Sequence, residues 1–219
     1  MKVFNICHSV VRVQITNPKT GQWSWGTGFW AKDDTKTKLV TARHLWNSIG
    51  KLCGTVNVEY DTPSMTKQFT PGVKFCFQGD DMALLDIPHP SEIIAFDISK
   101  NIPDKRALVL SVGYGNSLNQ HDRTVGLLEE KPTVMLNRGR IDAHHKKSNI
   151  ELLEIITMSE PGFSGGPLFI AKDISGNIAV KIDDTFDYTN IEKPEVIGFC
   201  RGNLATNLDR VGYETMKHF

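Results

Sequence analysis

Residues 161–168 read Pro-Gly-Phe-Ser-Gly-Gly-Pro-Leu, a serine enclosed by three glycines and followed directly by an apolar run. Glycine permits the tight turn that would expose the Ser164 hydroxyl, and it lets the N–H groups of Gly162 and Ser164 point together. Serine is a poor nucleophile unless a base takes its proton. The stretch therefore predicts either a reactive serine with its own anion-binding amides or a glycine-rich turn of no chemical consequence.

A histidine that could serve as this base follows an apolar strand far upstream. Residues 39–44 read Leu-Val-Thr-Ala-Arg-His, so that the strand runs into a small-residue turn that ends at His44. Histidine takes up and returns protons near neutral pH because its unperturbed pKa lies close by. Taken alone, a histidine after a strand is more often an ordinary surface or core residue.

A carboxylate that could orient this histidine opens another apolar strand. Residues 79–85 read Gly-Asp-Asp-Met-Ala-Leu-Leu. A buried aspartate beside a histidine Nδ1 would fix the imidazole tautomer and stabilise the imidazolium. We favour Asp81 because it directly precedes the apolar run, with Asp80 and Asp86 as competitors for the role.

Short β-branched and aromatic runs separated by turn residues surround these motifs, for example 9–16 and 26–32. Many short strands punctuated in this way predict an all-β sandwich or barrel. Helix is limited to one short turn within 41–51 and to the tail 204–219, where apolar residues recur near helical spacing. The polar segment 99–106 separates two halves with the strand count of small antiparallel barrels, although periodicity alone does not distinguish two barrels from one sandwich.

Composition argues against several classes of protein. The 219 residues carry 25 basic and 25 acidic side chains, so nucleic acid and anionic membranes are not expected partners. No run approaches the ~20 apolar residues of a membrane span, and the N-terminus lacks a signal-peptide pattern. We therefore expect no membrane segment in this chain and a cytoplasmic location. The scattered cysteines predict reduced thiols and no metal site: Cys7, Cys53, Cys76 and Cys200.

Taken together, the three motifs resemble the trypsin/chymotrypsin superfamily of serine peptidases. They follow one another in the order histidine, aspartate, serine, with separations of 37 and 83 residues. The resemblance extends to Gly-Thr-Gly-Phe (26–29), which is similar to the strand before the family's Thr-Ala-x-His. It also reaches Val-Ile-Gly (196–198), which is similar to the strand that lines the substrate cleft.

The resemblance implies a mechanism and an architecture. His44, Asp81 and Ser164 would form the catalytic triad, the Gly162 and Ser164 amides would form the oxyanion hole, and no metal or cofactor is needed. The fold would be two six-stranded antiparallel β-barrels with the active site in the cleft between them, followed by a short C-terminal helix. The first barrel would cover 1–98 and carry the histidine and aspartate.

The second barrel would cover 107–219 and carry the serine and the pocket for the residue before the scissile bond. By resemblance, the substrate-binding walls of that pocket are Met158, Ser159, Gly198, Phe199 and Cys200. No acid stands at the expected base of the pocket, where Met158 is placed. A preference for lysine or arginine is therefore not expected.

Within the superfamily, the chain resembles the compact, disulfide-poor peptidases of positive-strand RNA viruses and the HtrA-type peptidase domains. We favour a viral protease that processes a polyprotein, its own included, in the host cytoplasm. An HtrA-like cellular protease and a catalytically silent trypsin-fold binding module are the alternatives. An α/β-hydrolase is disfavoured because a β-like run, and no helix, follows the Gly-x-Ser-x-Gly of 162–166.

Three positions depart from the secreted members of the superfamily. Leu45 stands where a cysteine usually follows the histidine, and Arg43 stands where alanine or glycine is frequent. Phe163 replaces the aspartate that, in secreted enzymes, pairs with the N-terminal amine freed by zymogen cleavage. We therefore expect an oxyanion hole that does not depend on a new N-terminus.

Overall fold

A computed structural model of the protein describes residues 4–32, 36–46, 55–59, 66–69, 75–78, 81–91, 93–99, 103–115, 133–147, 150–156, 162–172, 175–179, 190–191, 195–200 and 207–209. These residues form short strands and two 3₁₀ turns, Ile6–Ser9 and Arg43–Trp46. In chain order the strands are β1 (Phe4–Asn5), β2 (Val10–Thr16), β3 (Trp23–Lys32), β4 (Thr37–Ala42), β5 (Thr55–Glu59), β6 (Thr66–Phe69), β7 (Phe75–Gln78), β8 (Met82–Leu85), β9 (Ala95–Ile98), β10 (Leu108–Gly115), β11 (Thr133–Lys147), β12 (Ile150–Ile156), β13 (Pro167–Ile170), β14 (Asn190–Ile191), β15 (Glu195–Cys200) and β16 (Asn207–Asp209).

Alternation of apolar and polar residues explains why the strands form. In β2, the side chains of Val11, Val13 and Ile15 are fully buried, while those of Arg12 and Gln14 between them are partly exposed. Successive side chains of a strand point to opposite faces, so this pattern packs one face against a core. The predicted all-β class is confirmed, and the short turn predicted within 41–51 is present as Arg43–Trp46.

The strands of the C-terminal half close into a ring. They pair in the order β10, β11, β12, β16, β15 and β13, and β13 pairs back to β10. Every pairing in this ring is antiparallel. This arrangement is a six-stranded antiparallel barrel, in which closure leaves no strand at an open edge.

Among the described residues, seven of the earlier strands form a second antiparallel set, whereas β1 pairs with β14 in a separate two-stranded sheet. The strands of the second set pair in the order β7, β8, β4, β3, β2, β5 and β6. Strand β9 joins the two sets, because it runs parallel both to β3, with Ala95 opposite Trp30, and to β15, with Asp97 opposite Glu195. The sheet is therefore mixed at this junction, whereas the sequence predicted antiparallel pairing throughout.

The predicted C-terminal helix over 204–219 is not confirmed, and residues 207–209 form β16 instead. Leu208 lies opposite Leu153 of β12 on one side and Cys200 of β15 on the other. These ladders satisfy the backbone N–H and C=O groups that a helix would satisfy internally, and they close the barrel. The other residues of the tail lie outside the described ranges.

Among the residues that the structure describes, three clusters of buried apolar side chains fill the interior. One is drawn from residues 11–95 and another from residues 107–200. A third joins the two sets of strands, and the Phe96 ring at its centre packs edge-on against Phe169, with 4.9 Å between the ring centroids. This shared core fixes the two sets against each other, so residues from both can contribute to one site.

Candidate active site

Strands β4 and β8 bring His44 and Asp81 together. In the antiparallel register Ala42, the last residue of β4, lies opposite Met82, the first residue of β8. Asp81 precedes β8 and the Arg43–Trp46 turn follows β4, so the aspartate lies beside the turn. The Arg43 amide donates a hydrogen bond of 2.7 Å to the Asp81 carbonyl oxygen, which fixes this arrangement.

The Asp81 carboxylate accepts two hydrogen bonds from His44. The His44 backbone N–H donates to Oδ1 at 2.8 Å, and the ring Nδ1 lies 2.7 Å from Oδ2. The Asp81 side chain is 8% exposed and the His44 side chain 33% exposed. An ionised carboxylate only accepts, so it selects the tautomer with the proton on Nδ1 and leaves Nε2 as a proton acceptor.

The competing acids differ in their surroundings. The Asp86 side chain is 55% exposed and forms an ion pair of 2.7 Å with Lys38 at the far end of β8. Asp80 lies outside the described residues. The structure describes two of the three candidate acids, Asp81 and Asp86, and of these two Asp81 contacts His44.

Two glycines with positive φ shape the turn around Ser164. Gly162 has φ +104° and Gly165 has φ +89°, values that residues with a side chain rarely adopt. A Cβ at Gly162 would lie 2.3 Å from the Trp25 ring, and a Cβ at Gly165 would lie 2.2 Å from the Thr27 carbonyl oxygen. Glycine is thus required at both positions by the backbone conformation and by close packing.

The serine turn packs against the strand that leads to His44. A Cβ at Gly165 would lie 2.8 Å from the Ala42 amide nitrogen, and Ala42 is two residues before His44. No hydrogen bond joins the His44 ring to the Ser164 hydroxyl, two groups that the structure describes. Such bonds are often long in unliganded enzymes and tighten when substrate is bound.

Three of the residues predicted to line the substrate pocket lie on β15. Gly198, Phe199 and Cys200 are all buried. The Gly165 amide donates to the Cys200 carbonyl oxygen at 2.6 Å, and the Cys200 amide donates to the Gly166 carbonyl oxygen at 2.8 Å. This strand therefore adjoins the serine turn, while the opposite wall predicted at 158–159 lies outside the described residues.

The Cys200 thiol, which lies beside this turn, stays protonated at neutral pH. Burial raises the pKa of Cys200 to about 12, an effect that the neighbouring Ser111 side chain partly offsets. A thiol with so high a pKa carries almost no thiolate at neutral pH and is a poor nucleophile. Ser164 is thus the nucleophile candidate at this turn.

Thr27 is a residue of the site that sequence reasoning did not single out. It is fully buried in β3, and its hydroxyl and its amide both bind the serine turn. The sequence places it in Gly-Thr-Gly-Phe (26–29), where a polar side chain between two glycines is the signal available.

Metal sites and membrane-spanning helices are both absent from the part of the chain that the structure describes. No group of three or more histidine, cysteine, aspartate or glutamate side chains is placed to hold a metal ion. None of the helices there has the length and apolar character needed to cross a membrane.

Comparison with solved structures relates the fold to known serine proteases. The Rv3671c protease of M. tuberculosis, in its active form, matches with a TM-score of 0.61 and 19% identity, over 96% of this chain and 78% of that one. A human pathogenic astrovirus serine protease matches with a TM-score of 0.51 and 18% identity, over 95% of this chain and 93% of that one. The serine endoprotease from Yersinia pestis matches with a TM-score of 0.57 and 15% identity, over 97% of this chain and 61% of that one.

Comparison of the sequence with protein families gives the more specific result. A search among curated proteins found no match. The family model for the trypsin-like peptidase domain matches residues 26–174, which is more than half of the chain and includes His44, Asp81 and Ser164. The chain therefore belongs to the family of trypsin-like peptidase domains and is a serine endopeptidase.

Proposed function

We propose that Ser164, His44 and Asp81 are the catalytic triad of this peptidase. The observation that carries the proposal is the pair of hydrogen bonds, 2.8 and 2.7 Å, from the His44 backbone and ring to one buried carboxylate. The contact between the serine turn and the end of β4 adds support. Together these features support His44 as the oriented base that the Ser164 hydroxyl needs.

In the proposed reaction, the Ser164 oxygen attacks the scissile carbonyl carbon while His44 Nε2 takes the hydroxyl proton. The carbonyl π electrons move onto oxygen, and the N–H groups of Gly162 and Ser164 stabilise this oxyanion. The imidazolium, stabilised by Asp81, then protonates the leaving amine, and the C–N bond breaks to give an acyl-enzyme. Water, deprotonated by His44, then attacks the ester carbon. The bond from that carbon to the Ser164 oxygen breaks, His44 returns the proton to this oxygen, and the acid is released.

This mechanism assigns separate parts of the chain to the two sides of the cleft. We assign residues 1–98 to the barrel that supplies His44 and Asp81, and residues 107–219 to the barrel that supplies Ser164 and the substrate pocket. The separate apolar clusters within 11–95 and 107–200 support this division. Met158, Ser159, Gly198, Phe199 and Cys200 remain the proposed pocket walls.

The substrate is a polypeptide, and for its source we propose a viral polyprotein that includes this chain, in the host cytoplasm. The likeness in fold to the astrovirus protease supports this choice. An HtrA-like cellular role is the second candidate, favoured by the likeness to an HtrA-type protease crystallised with a decapeptide, at a TM-score of 0.57.

Translation of the flanking coding sequence together with this chain separates the two roles. Release of the chain from the translated product, abolished by Ser164→Ala, supports polyprotein processing. If the translated product stays intact although the enzyme within it is active on a peptide substrate, polyprotein processing is contradicted.

Labelling with a fluorophosphonate tests the proposed triad against a catalytically silent binding module. An activated hydroxyl reacts with this probe, whereas an ordinary serine does not. We expect one adduct, located at Ser164 by peptide mass spectrometry and lost in His44→Ala. His89 is the matched control, because its ring Nε2–H donates to the Ile93 carbonyl oxygen of its own loop at 2.7 Å. Labelling of His44→Ala at the rate of the unmodified protein would reject the triad.

A further inference from the structure

We infer that Thr27 is the positioning residue that holds the oxyanion-binding turn in its working shape, an inference that rests on the proposed role of Ser164. Thr27 lies 135 residues from Gly162 in the sequence and is 0% exposed. Its hydroxyl donates to the Gly162 carbonyl oxygen at 2.7 Å, and its amide donates to the Ser164 carbonyl oxygen at 2.8 Å. One residue thus binds the backbone on both sides of Phe163.

Further hydrogen bonds fix Thr27 itself. The Tyr114 amide donates to its hydroxyl oxygen at 2.9 Å. The Thr41 hydroxyl donates to its carbonyl oxygen at 2.7 Å. Because the hydroxyl oxygen accepts from an amide, its single proton is directed to the Gly162 carbonyl. Thr27 is therefore a rigid part of its strand, with its donors aimed at the serine turn.

Planarity of the peptide bond converts these contacts into control of the N–H directions. In a trans peptide the C=O and N–H point in opposite directions, so a hydrogen bond to one fixes the other. The Phe163 carbonyl oxygen accepts from the Gly166 amide at 2.8 Å, which sets the direction of the Ser164 N–H. Thr27 binds the carbonyl oxygens of the Gly162–Phe163 and Ser164–Gly165 peptides, and these two peptides flank the one that carries the Ser164 N–H.

Packing restricts the turn further without using any charged group. The Phe163 side chain is fully buried, and it occupies the space beside Gly113, where a Cβ would lie 2.9 Å from its ring. The Trp25 ring covers Gly162. We therefore expect a turn held by a buried threonine, a buried phenylalanine and a covering indole to form without an ion pair to a freed amine.

The test compares Thr27→Val with Thr27→Ser. Valine keeps the shape and removes the hydroxyl, so the Gly162 carbonyl loses its donor. The Gly162–Phe163 peptide, which lies between the peptides that carry the Gly162 and Ser164 N–H groups, is then free to rotate and to misalign them. Since loss of an oxyanion donor costs about 10²–10³-fold in kcat, we expect misorientation to lower kcat about 10–100-fold with KM changed less than about 3-fold. Serine keeps the donor and should retain kcat within about 3-fold.

Inhibition by a peptide aldehyde gives a readout that a purely structural role would not move. The aldehyde adds to the serine oxygen and places an oxyanion in the hole, so its Ki should rise in Thr27→Val by the factor by which kcat/KM falls. Thr27→Ala provides a second variant without the hydroxyl if valine impairs folding. For this variant too we expect a lower kcat, a KM that changes little and a higher Ki.

Ser99→Ala is the matched control, because it removes another buried hydroxyl, one that donates to the Glu195 carboxylate at 3.2 Å. It should lower the melting temperature without the loss of kcat. The inference is overturned if folded Thr27→Val keeps kcat and Ki within about 3-fold, or if serine fails to rescue. Absence of fluorophosphonate labelling in the unmodified protein would instead reject the proposed function.

Discussion

Replacing Asp81 by asparagine changes one oxygen to an NH₂ group without changing the size of the side chain. The carboxylate accepts from both the His44 backbone N–H and the ring Nδ1–H. An amide can accept only one of these bonds with its oxygen and must present its donor to the other position. If the oxygen stays with the backbone N–H, the NH₂ group faces Nδ1 and drives the ring proton to Nε2. The ring then cannot take the Ser164 proton.

The structure sets the magnitude of this effect. Flipping the amide to restore the productive tautomer leaves two donors facing each other in a buried place, at a cost of about 1–3 kcal/mol. The lost carboxylate charge, roughly 4 Å from the ring centre, adds about 4 kcal/mol to the barrier at an effective dielectric constant of 20. Together the two terms raise the barrier by about 5–7 kcal/mol, which corresponds to a fall in kcat of about 10⁴–10⁵-fold.

The assay is steady-state hydrolysis of a peptide substrate at neutral pH, with thermal unfolding to show that the variant is folded. Asp86→Asn is the matched control, because the same chemical change there acts on a half-exposed ion pair with Lys38. We expect the control to keep kcat within about 2-fold, since surface pairs contribute little. A folded Asp81→Asn enzyme with more than about a tenth of the normal kcat would refute the role given to Asp81.

Three further predictions concern stability and processing. Gly165→Ala should lower the free energy of unfolding in urea by at least about 2 kcal/mol more than Gly176→Ala, since both glycines have positive φ but only the first has neighbours within 4 Å of a Cβ. Equal losses would contradict this. The Cys200 thiol ionises near pH 9.0 when unfolded and near 12 when folded, so stability present below pH 9 should fall as pH rises, by up to about 1.4 kcal/mol per unit. Cys200→Ala should reduce this alkaline loss, and an unchanged pH profile would count against it. N-terminally extended and trimmed forms should hydrolyse a small ester at rates within about 3-fold, and a large difference would show that the oxyanion hole depends on the N-terminus.

Local patterns account for the parts of the fold that the sequence predicted correctly. The alternation of Val11, Val13 and Ile15 with polar residues specifies a strand with one buried face wherever that strand lies. The glycines at 162 and 165 likewise specify a turn, because no other residue tolerates that backbone so easily. Both patterns involve only a few neighbouring residues, so they can be recognised from the sequence alone.

Features that depend on distant partners could not be predicted in this way. The tail residues around Leu208 have a weak helical spacing, yet two neighbouring strands complete their hydrogen bonds as β16. Parallel pairing of β9 depends on how the two sets of strands meet. The role inferred for Thr27 depends on carbonyl groups 135 and 137 residues away, which no local pattern could reveal.

The candidate site stands between these two cases. The spacing of 37 residues between His44 and Asp81 says nothing about contact, whereas the register of β4 against β8 places the carboxylate beside the ring. Asp86, at the other end of the same strand, pairs with Lys38 instead. Sequence patterns thus suggested which residue types to consider, and strand register decided which of the described ones meet.

Turnover of purified Ser164→Ala on a peptide substrate tests the proposed nucleophile most directly. The hydroxyl is the atom that forms the acyl-enzyme, and its removal leaves the turn, whose backbone hydrogen bonds do not involve it, intact. We predict an unchanged melting temperature and a fall in kcat of about 10⁴-fold or more. Cleavage retained at a tenth or more of the normal rate, in a sample free of contaminating protease, would contradict the assignment of Ser164.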